Sequence, residues 1–183
     1  MNQRQADSTF ISLRPAGPGD NELLAEMGAS TFADTFGPDN TPENMVAYLA
    51  ASFSPARQAV ELADPGTLFL IAEVNGAAQG YVRLREGPAP ACVSGARPLE
   101  IVRLYARQAF IGRGVGAALM RASLAEAARR GCDSVWLDVW EHNPRAIAFY
   151  ERWGFNKVGT AVFPLGNDLQ TDFLMQKTIG DGS

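Results

Sequence analysis

The amino-acid sequence predicts a mixed α/β fold, and three observations carry that expectation. Seven short runs have strand character and alternate with five stretches of helical periodicity. Asn75-Gly76 between two apolar runs is a strong hairpin signal, which makes the first half antiparallel. The second half runs strand, glycine loop, helix, strand, helix, the order of a βαβα unit.

Each element has a local cause. Thr9–Leu13 (TFISL) is the first expected strand, closed by Pro15, Gly17, Pro18 and Gly19. A helix starts near Asp20 and carries Leu23, Leu24, Met27, Thr31 and Phe32 on one face, until Gly37–Asn40 breaks it. Thr41-Pro42 is an N-cap with proline at the first helical position, opening a helix through Met45, Tyr48 and Leu49. Pro55–Ala63 forms a third short helix. Leu68–Val74 and Gly80–Leu84 are the hairpin strands, and Gly87–Pro98 is a loop rich in Gly and Pro. Strand Leu99–Ala106 leads through the glycine loop to a helix from Gly114 to about Arg130, stopped by Gly131. Strand Ser134–Trp140, helix Pro144–Arg152 and strands over 157–163 and 171–177 complete the chain.

The 183 residues suit one compact domain, 1–183, with 46% hydrophobic and 20% charged residues. The net charge of −4 argues against nucleic acid or an anionic membrane as the main partner. Cys92 and Cys132 stand in different segments with no second thiol at metal-ligand spacing, so neither a disulfide framework nor a metal site is expected. MNQRQADSTF lacks the apolar stretch of a signal peptide, and no run approaches membrane-spanning length, so a cytoplasmic protein is expected.

The most informative segment is Phe110-Ile111-Gly112-Arg113-Gly114-Val115-Gly116. Glycine reaches positive φ and lets a ligand approach the backbone where a Cβ would intrude. The first N–H groups of the following helix have no intrahelical partner, and the helix dipole adds partial positive charge. Together these make an anion site suited to phosphate oxygens, beside which Arg113 is either an added charge or a solvated surface residue. A tight turn with close helix packing gives the same glycines. Gly112-x-Gly114-x-x-Ala117 also fits a dinucleotide-binding fingerprint, but Ala106–Ile111 separates it from the strand and only about 65 residues follow. No Gly-Lys-Ser/Thr follows, which excludes a Walker loop.

Downstream stands Asn143-Pro144-Arg145-Ala146-Ile147-Ala148-Phe149-Tyr150-Glu151-Arg152-Trp153-Gly154-Phe155. With the glycine loop it resembles the GNAT superfamily of acetyl-CoA-dependent N-acetyltransferases, most densely over 99–155. The resemblance implies a mostly antiparallel twisted sheet of about seven strands with helices on both faces, and acetyl-CoA as cosubstrate. It implies that Ile111, Gly112, Arg113, Gly114, Val115 and Gly116 form the pyrophosphate cradle. Gln or Arg is usual where this chain has Ile111, so main-chain amides carry the grip. Leu104, Tyr105 and Ala106 are similar to the segment that pairs with the pantetheine arm. Asn143 matches an asparagine contacting that arm, although it is also a good N-cap. Tyr150 matches the tyrosine that protonates the departing thiolate, and a phenol can donate there and be restored by solvent.

An alkylammonium has a pKa near 10, so something must take its proton before attack. Glu100 in Glu100-Ile101-Val102 resembles the strand glutamate that does so in histone-type members; ordered water is the alternative. His142, the only histidine, can titrate near neutrality but stands in a turn beside a helix cap. Thr31-Phe32-Ala33-Asp34-Thr35-Phe36-Gly37, Asn44-Met45-x-x-Tyr48-Leu49 and Val139-Trp140-Glu141-His142-Asn143 are similar to PaiA-type polyamine acetyltransferases. That likeness implies spermidine or spermine as acceptor, with Glu22, Glu26, Asp34, Asp39 and Glu43 as carboxylates for a polycation. Acetylation of a protein N-terminus, a lysine or an aminoglycoside, and a non-catalytic acyl-CoA-binding module, stay open. The family likeness also implies a homodimer.

Overall fold

A computed structural model describes residues 10–180. Its seven strands are β1 (Ile11–Pro15), β2 (Thr67–Val74), β3 (Ala77–Glu86), β4 (Pro98–Ala106), β5 (Ser134–Trp140), β6 (Asn156–Leu165) and β7 (Asp168–Thr178). Five helices accompany them: α1 (Asn21–Phe36), α2 (Pro42–Ser52), α3 (Pro55–Ala63), α4 (Val115–Arg129) and α5 (Pro144–Arg152). They form one sheet in the order β1-β2-β3-β4-β5-β7-β6. Every neighbouring pair is antiparallel except β4 and β5.

The local signals act as expected. Asn75 and Gly76 take φ of 52° and 79°, the two positive values that a tight two-residue hairpin demands. Thr41 accepts the Asn44 amide at 3.3 Å and Ser54 the Arg57 amide at 3.3 Å, capping α2 and α3 ahead of their prolines. Gly131 closes α4 at φ 67°. Boundaries differ at the sheet margins. The first strand runs to Pro15, tolerated because β1 is an edge strand, while Thr9 lies outside the described residues. β3, β6 and β7 are each longer than their apolar cores suggested, since cross-strand bonds extend pairing into polar ends.

Two irregularities position the cavity. Arg83 pairs with Arg103 but Leu84 with Ile101, so Val102 is an extra residue in β4. This bulge turns Arg103 and Tyr105 to the same face as Glu100. The parallel ladder of β4 and β5 holds only from Pro98–Ser134 to Glu100–Trp136, after which the strands separate.

The two faces of the sheet have different covers. Val115, Leu119, Met120 and Ala127 of α4 and Tyr150 of α5 pack on Val82, Leu84, Leu99, Ile101, Leu137 and Val139. On the opposite face, Leu24 and Met27 of α1 meet Phe69, Ile71 and Tyr81, while Phe32, Met45 and Phe53 close on Leu165. Gly28 makes this approach possible, since a Cβ there would stand 2.4 Å from the Phe53 ring.

Candidate active site

A cavity of about 740 Å³ occupies the gap where β4 and β5 part. Its lining comes from both faces of the sheet: Gly112, Gly114, Gly116, Asn143, Phe149 and Tyr150 on the α4–α5 side, and Phe32, Tyr48, Asp138 and Asp172 on the α1–α2 side. Leu104, Tyr105, Ala106 and Ile111 lie between them on the wall. A smaller cavity of about 240 Å³ adjoins it, lined by Asp34, Asp39, His142 and Arg145, and shares Thr31, Ala106, Ile111 and Asn143 with it.

The glycine loop has the geometry its sequence demands. Gly112 and Gly114 hold φ of 76° and 91°, and Gly114 is the left-handed residue preceding the first turn of α4. The first bond of the helix runs from the Ala118 amide to the Gly114 carbonyl at 2.9 Å. The amides of Val115, Gly116 and Ala117 therefore precede the ladder and carry the positive end of the dipole. A Cβ on Gly112 would meet nothing within 4 Å, so the space over the loop is open to a ligand. Arg113 and Val115 contribute differently from the glycines. The Arg113 guanidinium stands over the Phe110 ring at 5.7 Å, and its amide donates to the Phe110 carbonyl at 3.2 Å. The Val115 side chain is buried in the core, so only its backbone can serve the cavity.

Asn143 caps α5, its Oδ1 accepting the Ala146 amide at 3.1 Å, and it lines the cavity as well. Tyr150 is buried, and burial together with the nearby Asp138 charge pushes its phenol well above the ordinary tyrosine value. Its hydroxyl is protonated at any physiological pH.

The floor of the cavity carries carboxylates. Glu100 is buried, and its Oε2 accepts from Arg85 Nε at 2.8 Å and Nη2 at 2.6 Å. Burial raises its pKa and the Arg85 bonds lower it, leaving it above the usual carboxylate value. Asp138 is raised by desolvation. Asp172 is raised to about 7, by burial first and then by the charges of Asp138 and Glu141. Asp172 Oδ1 and Gln170 Oε1 are buried acceptors without a donor. The Gln170 amide cannot turn, because Nε2 donates to Asn40 Oδ1 at 2.7 Å and Asp168 Oδ2 at 2.8 Å. Aromatic rings stand over this floor: Phe32 stacks on Tyr48 at 4.5 Å, Phe36 lies 5.6 Å from Trp140, and Phe163 lies 5.4 Å from Tyr48. Unpartnered acceptor atoms and aromatic rings lining one cavity suit a cation.

The helix carboxylates divide. Asp34 and Asp39 border the smaller cavity. Glu26 pairs with Arg107, and Glu22 and Glu43 are exposed away from both cavities. His142 is an exposed turn residue with Nε2 3.9 Å from Glu141 Oε1. Sequence reasoning passed over Asp138 and Asp172, although a lone carboxylate inside SVWLDVW was a usable signal. Arg85, Gln170 and the closeness of β7 to β5 had none, because they depend on strand order. Among the described residues, no cluster of three or more His, Cys, Asp or Glu could hold a metal ion, and no helix is long and apolar enough to cross a membrane.

A split sheet, a glycine-opened helix and a buried phenol over one cavity define an acyl-transferring α/β enzyme. The chain belongs to the acetyltransferase (GNAT) family, whose sequence profile matches residues 30–155. It is 38% identical over 158 residues to an uncharacterized N-acetyltransferase of Lactobacillus delbrueckii subsp. lactis, covering 86% of this chain and 91% of that protein. It is 36% identical over 160 residues to an uncharacterized N-acetyltransferase of Mycobacterium tuberculosis, covering 87% and 98%. Its fold superposes on the PaiA N-acetyltransferase of Thermoplasma acidophilum in complex with coenzyme A with a TM-score of 0.72, at 20% identity over 92% of this chain and 99% of that one. The ribosomal-protein-S18-alanine N-acetyltransferase of Escherichia coli gives a TM-score of 0.70 at 16% identity, covering 95% and 97%. The protein is an N-acetyltransferase with the seven-stranded fold of that family.

Proposed function

We propose that this enzyme moves the acetyl group of acetyl-CoA directly to a primary amine, with a polyamine such as spermidine or spermine as acceptor. The observation that carries this reading is the single cavity joining the glycine loop, Tyr150 and a carboxylate floor through the β4–β5 gap. In it, the glycine loop and the free first-turn amides of Val115, Gly116 and Ala117 hold the pyrophosphate, and the edge of β4 around Leu104–Ala106, freed where the strands part, receives the pantetheine arm. Asn143 lies beside that arm. Tyr150 gives its proton to the departing sulfur, and a floor carboxylate, Glu100 being the candidate the sequence offered, takes the proton of the amine.

Direct transfer is favoured by the lining, in which the described residues include no cysteine, serine or lysine to carry an acetyl group. Cation acceptance is favoured by the unpartnered oxygens of Asp172 and Gln170, which share the cavity lining with Phe36, Tyr48, Trp140 and Phe163. A cytoplasmic setting accords with the two unpaired thiols.

The test is thiol release from acetyl-CoA with spermidine, spermine, lysine, an alanine-terminated peptide and kanamycin. The proposal expects release with the polyamines at the highest kcat/KM. Preference for the peptide or kanamycin would replace the acceptor class. Acetyl-CoA binding without release on the whole panel would leave a non-catalytic module.

A further inference from the structure

Strand β7 carries two buried polar side chains that the fold leaves unsatisfied, and both belong to the cavity lining. Asp172 lies opposite Trp140 of β5 and Ala161 of β6, and Gln170 lies opposite Phe163 of β6. Asp172 is 7% exposed with an unpartnered Oδ1, and Gln170 is 9% exposed with an unpartnered Oε1. A relay of amides fixes the glutamine. Asn40 Nδ2 donates to the Phe36 carbonyl at 2.7 Å, which leaves Asn40 Oδ1 as the acceptor for Gln170 Nε2 at 2.7 Å. The other Nε2 proton goes to Asp168 Oδ2 at 2.8 Å. With both N–H groups committed, Gln170 has only Oε1 left, and that oxygen can only accept. Ionised Asp172 also only accepts, and the charges that bear on it, from Asp138 and Glu141, are like its own. Buried acceptors without a donor are costly, and a buried charge without a counter-charge more so. A ligand group that brings N–H donors and a positive charge relieves both costs, whereas a neutral hydroxyl would relieve only the first. Tyr48 and Phe163, in edge contact at 5.4 Å, share the lining and favour an alkylammonium further.

We propose that Asp172 and Gln170 form a subsite for a second, non-reacting ammonium of the acceptor, so that the enzyme selects dications over monoamines. The proposal rests on the acetyl-transfer reading above and deepens it, because it places acceptor choice on β7 and away from the reacting atoms. The spacing supports the separation. Asp138, whose charge reaches the Tyr150 phenol, lies opposite Leu174. A strand rises about 3.4 Å per residue, so Asp172 and Gln170 stand about 7 and 14 Å along β7 from that row. A nitrogen reacting near Tyr150 thus leaves a second nitrogen, several carbons away, within reach of β7. Asp172 then supplies the counter-charge and Gln170 a fixed acceptor, and the bound ammonium needs no proton transfer.

The experiment measures kcat/KM for putrescine, cadaverine and diaminooctane against butylamine, pentylamine and octylamine, at pH 8, where Asp172 is ionised. Acetyl-CoA affinity is measured by calorimetry for the wild-type protein, D172N, D172E and Q170L, so that folding is followed separately. In the wild-type protein the best diamine should exceed its matched monoamine by about 10-fold or more, mostly through KM, as a charge-assisted hydrogen bond requires. D172N should bring that ratio down to about two, the statistical advantage of two equal amines, through a higher KM for the diamine. D172E should recover part of the ratio, and Q170L should lower it by about threefold. A wild-type ratio of two or less means that water serves these oxygens and overturns the proposal. So does a D172N protein that keeps the wild-type ratio, or that loses diamine and monoamine turnover equally. If D172N fails to bind acetyl-CoA, D172E and Q170L decide, and an unchanged ratio in both overturns the subsite. Absence of turnover with every amine overturns the function itself, whereas equal use of matched amines overturns only this inference.

Discussion

At the scale of single residues, the chemistry comes from environments that the sequence states only in part. Burial and the Asp138 charge keep the Tyr150 phenol neutral, and if it is the proton donor proposed above, Tyr150→Phe should lower kcat by about 10²-fold. Acetyl-CoA affinity should stay near normal by calorimetry, because the phenyl ring remains. Unchanged kcat would remove the acid role. Asp172 has a thermodynamic signature of its own. Its carboxyl is raised to about 7, so below the ordinary aspartate value it is neutral in both folded and unfolded chains and costs nothing. Between the ordinary aspartate value and about 7 the unfolded chain ionises while the folded protein holds its proton, so stability falls across that window and levels off above it, where the folded protein carries the buried charge. Asp172→Asn should therefore raise the melting temperature at pH 8 and leave it unchanged at pH 4. Equal melting at both values would show that Asp172 is well solvated. Tyr150, Glu100 and the glycines were singled out by their resemblance to family motifs, and the structure brings Tyr150, Glu100, Gly112, Gly114 and Gly116 to one cavity. Asp138 and Asp172 were not, because a carboxylate becomes part of a site only when strand order sets it beside another.

At the scale of elements, the site is a consequence of how strands and helices end. The Val102 bulge and the parting of β4 from β5 create the cavity, and neither leaves a residue signature, since Glu100-Ile101-Val102-Arg103 would run unbroken in an ordinary strand. The α4 terminus, by contrast, was written in glycines. Gly114→Val would force a β-branched residue to φ 91° and place a Cβ 3.3 Å from Ile11 Cδ1. It should abolish measurable acetyl-CoA binding while the protein stays folded by circular dichroism, and tight binding would refute the cradle. Helix α3 is tied to the sheet by charge. Buried Glu61 accepts Arg103 at 2.7 Å and Arg83 at 2.9 Å, and also Arg57 at 3.0 Å from its own helix. Glu61→Gln leaves two buried guanidiniums short of a counter-charge and should cost about 3–5 kcal/mol in urea unfolding. A loss near zero would mean that the arginines find other partners.

At the scale of the whole molecule, the fold was more legible than the site. Seven strands, five helices and the hairpin at Asn75-Gly76 follow from periodicity and turn residues, which act locally. The β7-between-β5-and-β6 order does not, because it depends on a β6–β7 hairpin laid back against β5, a long-range pairing. Asp138, Asp172, Asp34 and Asp39 line the adjoining cavities together with Arg103, Arg145 and Arg152, and the net charge of −4 is compatible with the cationic acceptor proposed above. The central claim is that the cavity passes an acetyl group straight from thioester to amine, and the most direct test follows the group itself. With acetyl-CoA labelled in its acetyl carbon, mass spectrometry after rapid mixing with spermidine should find the label on an amine nitrogen and none on the protein at any time. Label appearing first on a protein side chain, or none on the amine, would contradict the account.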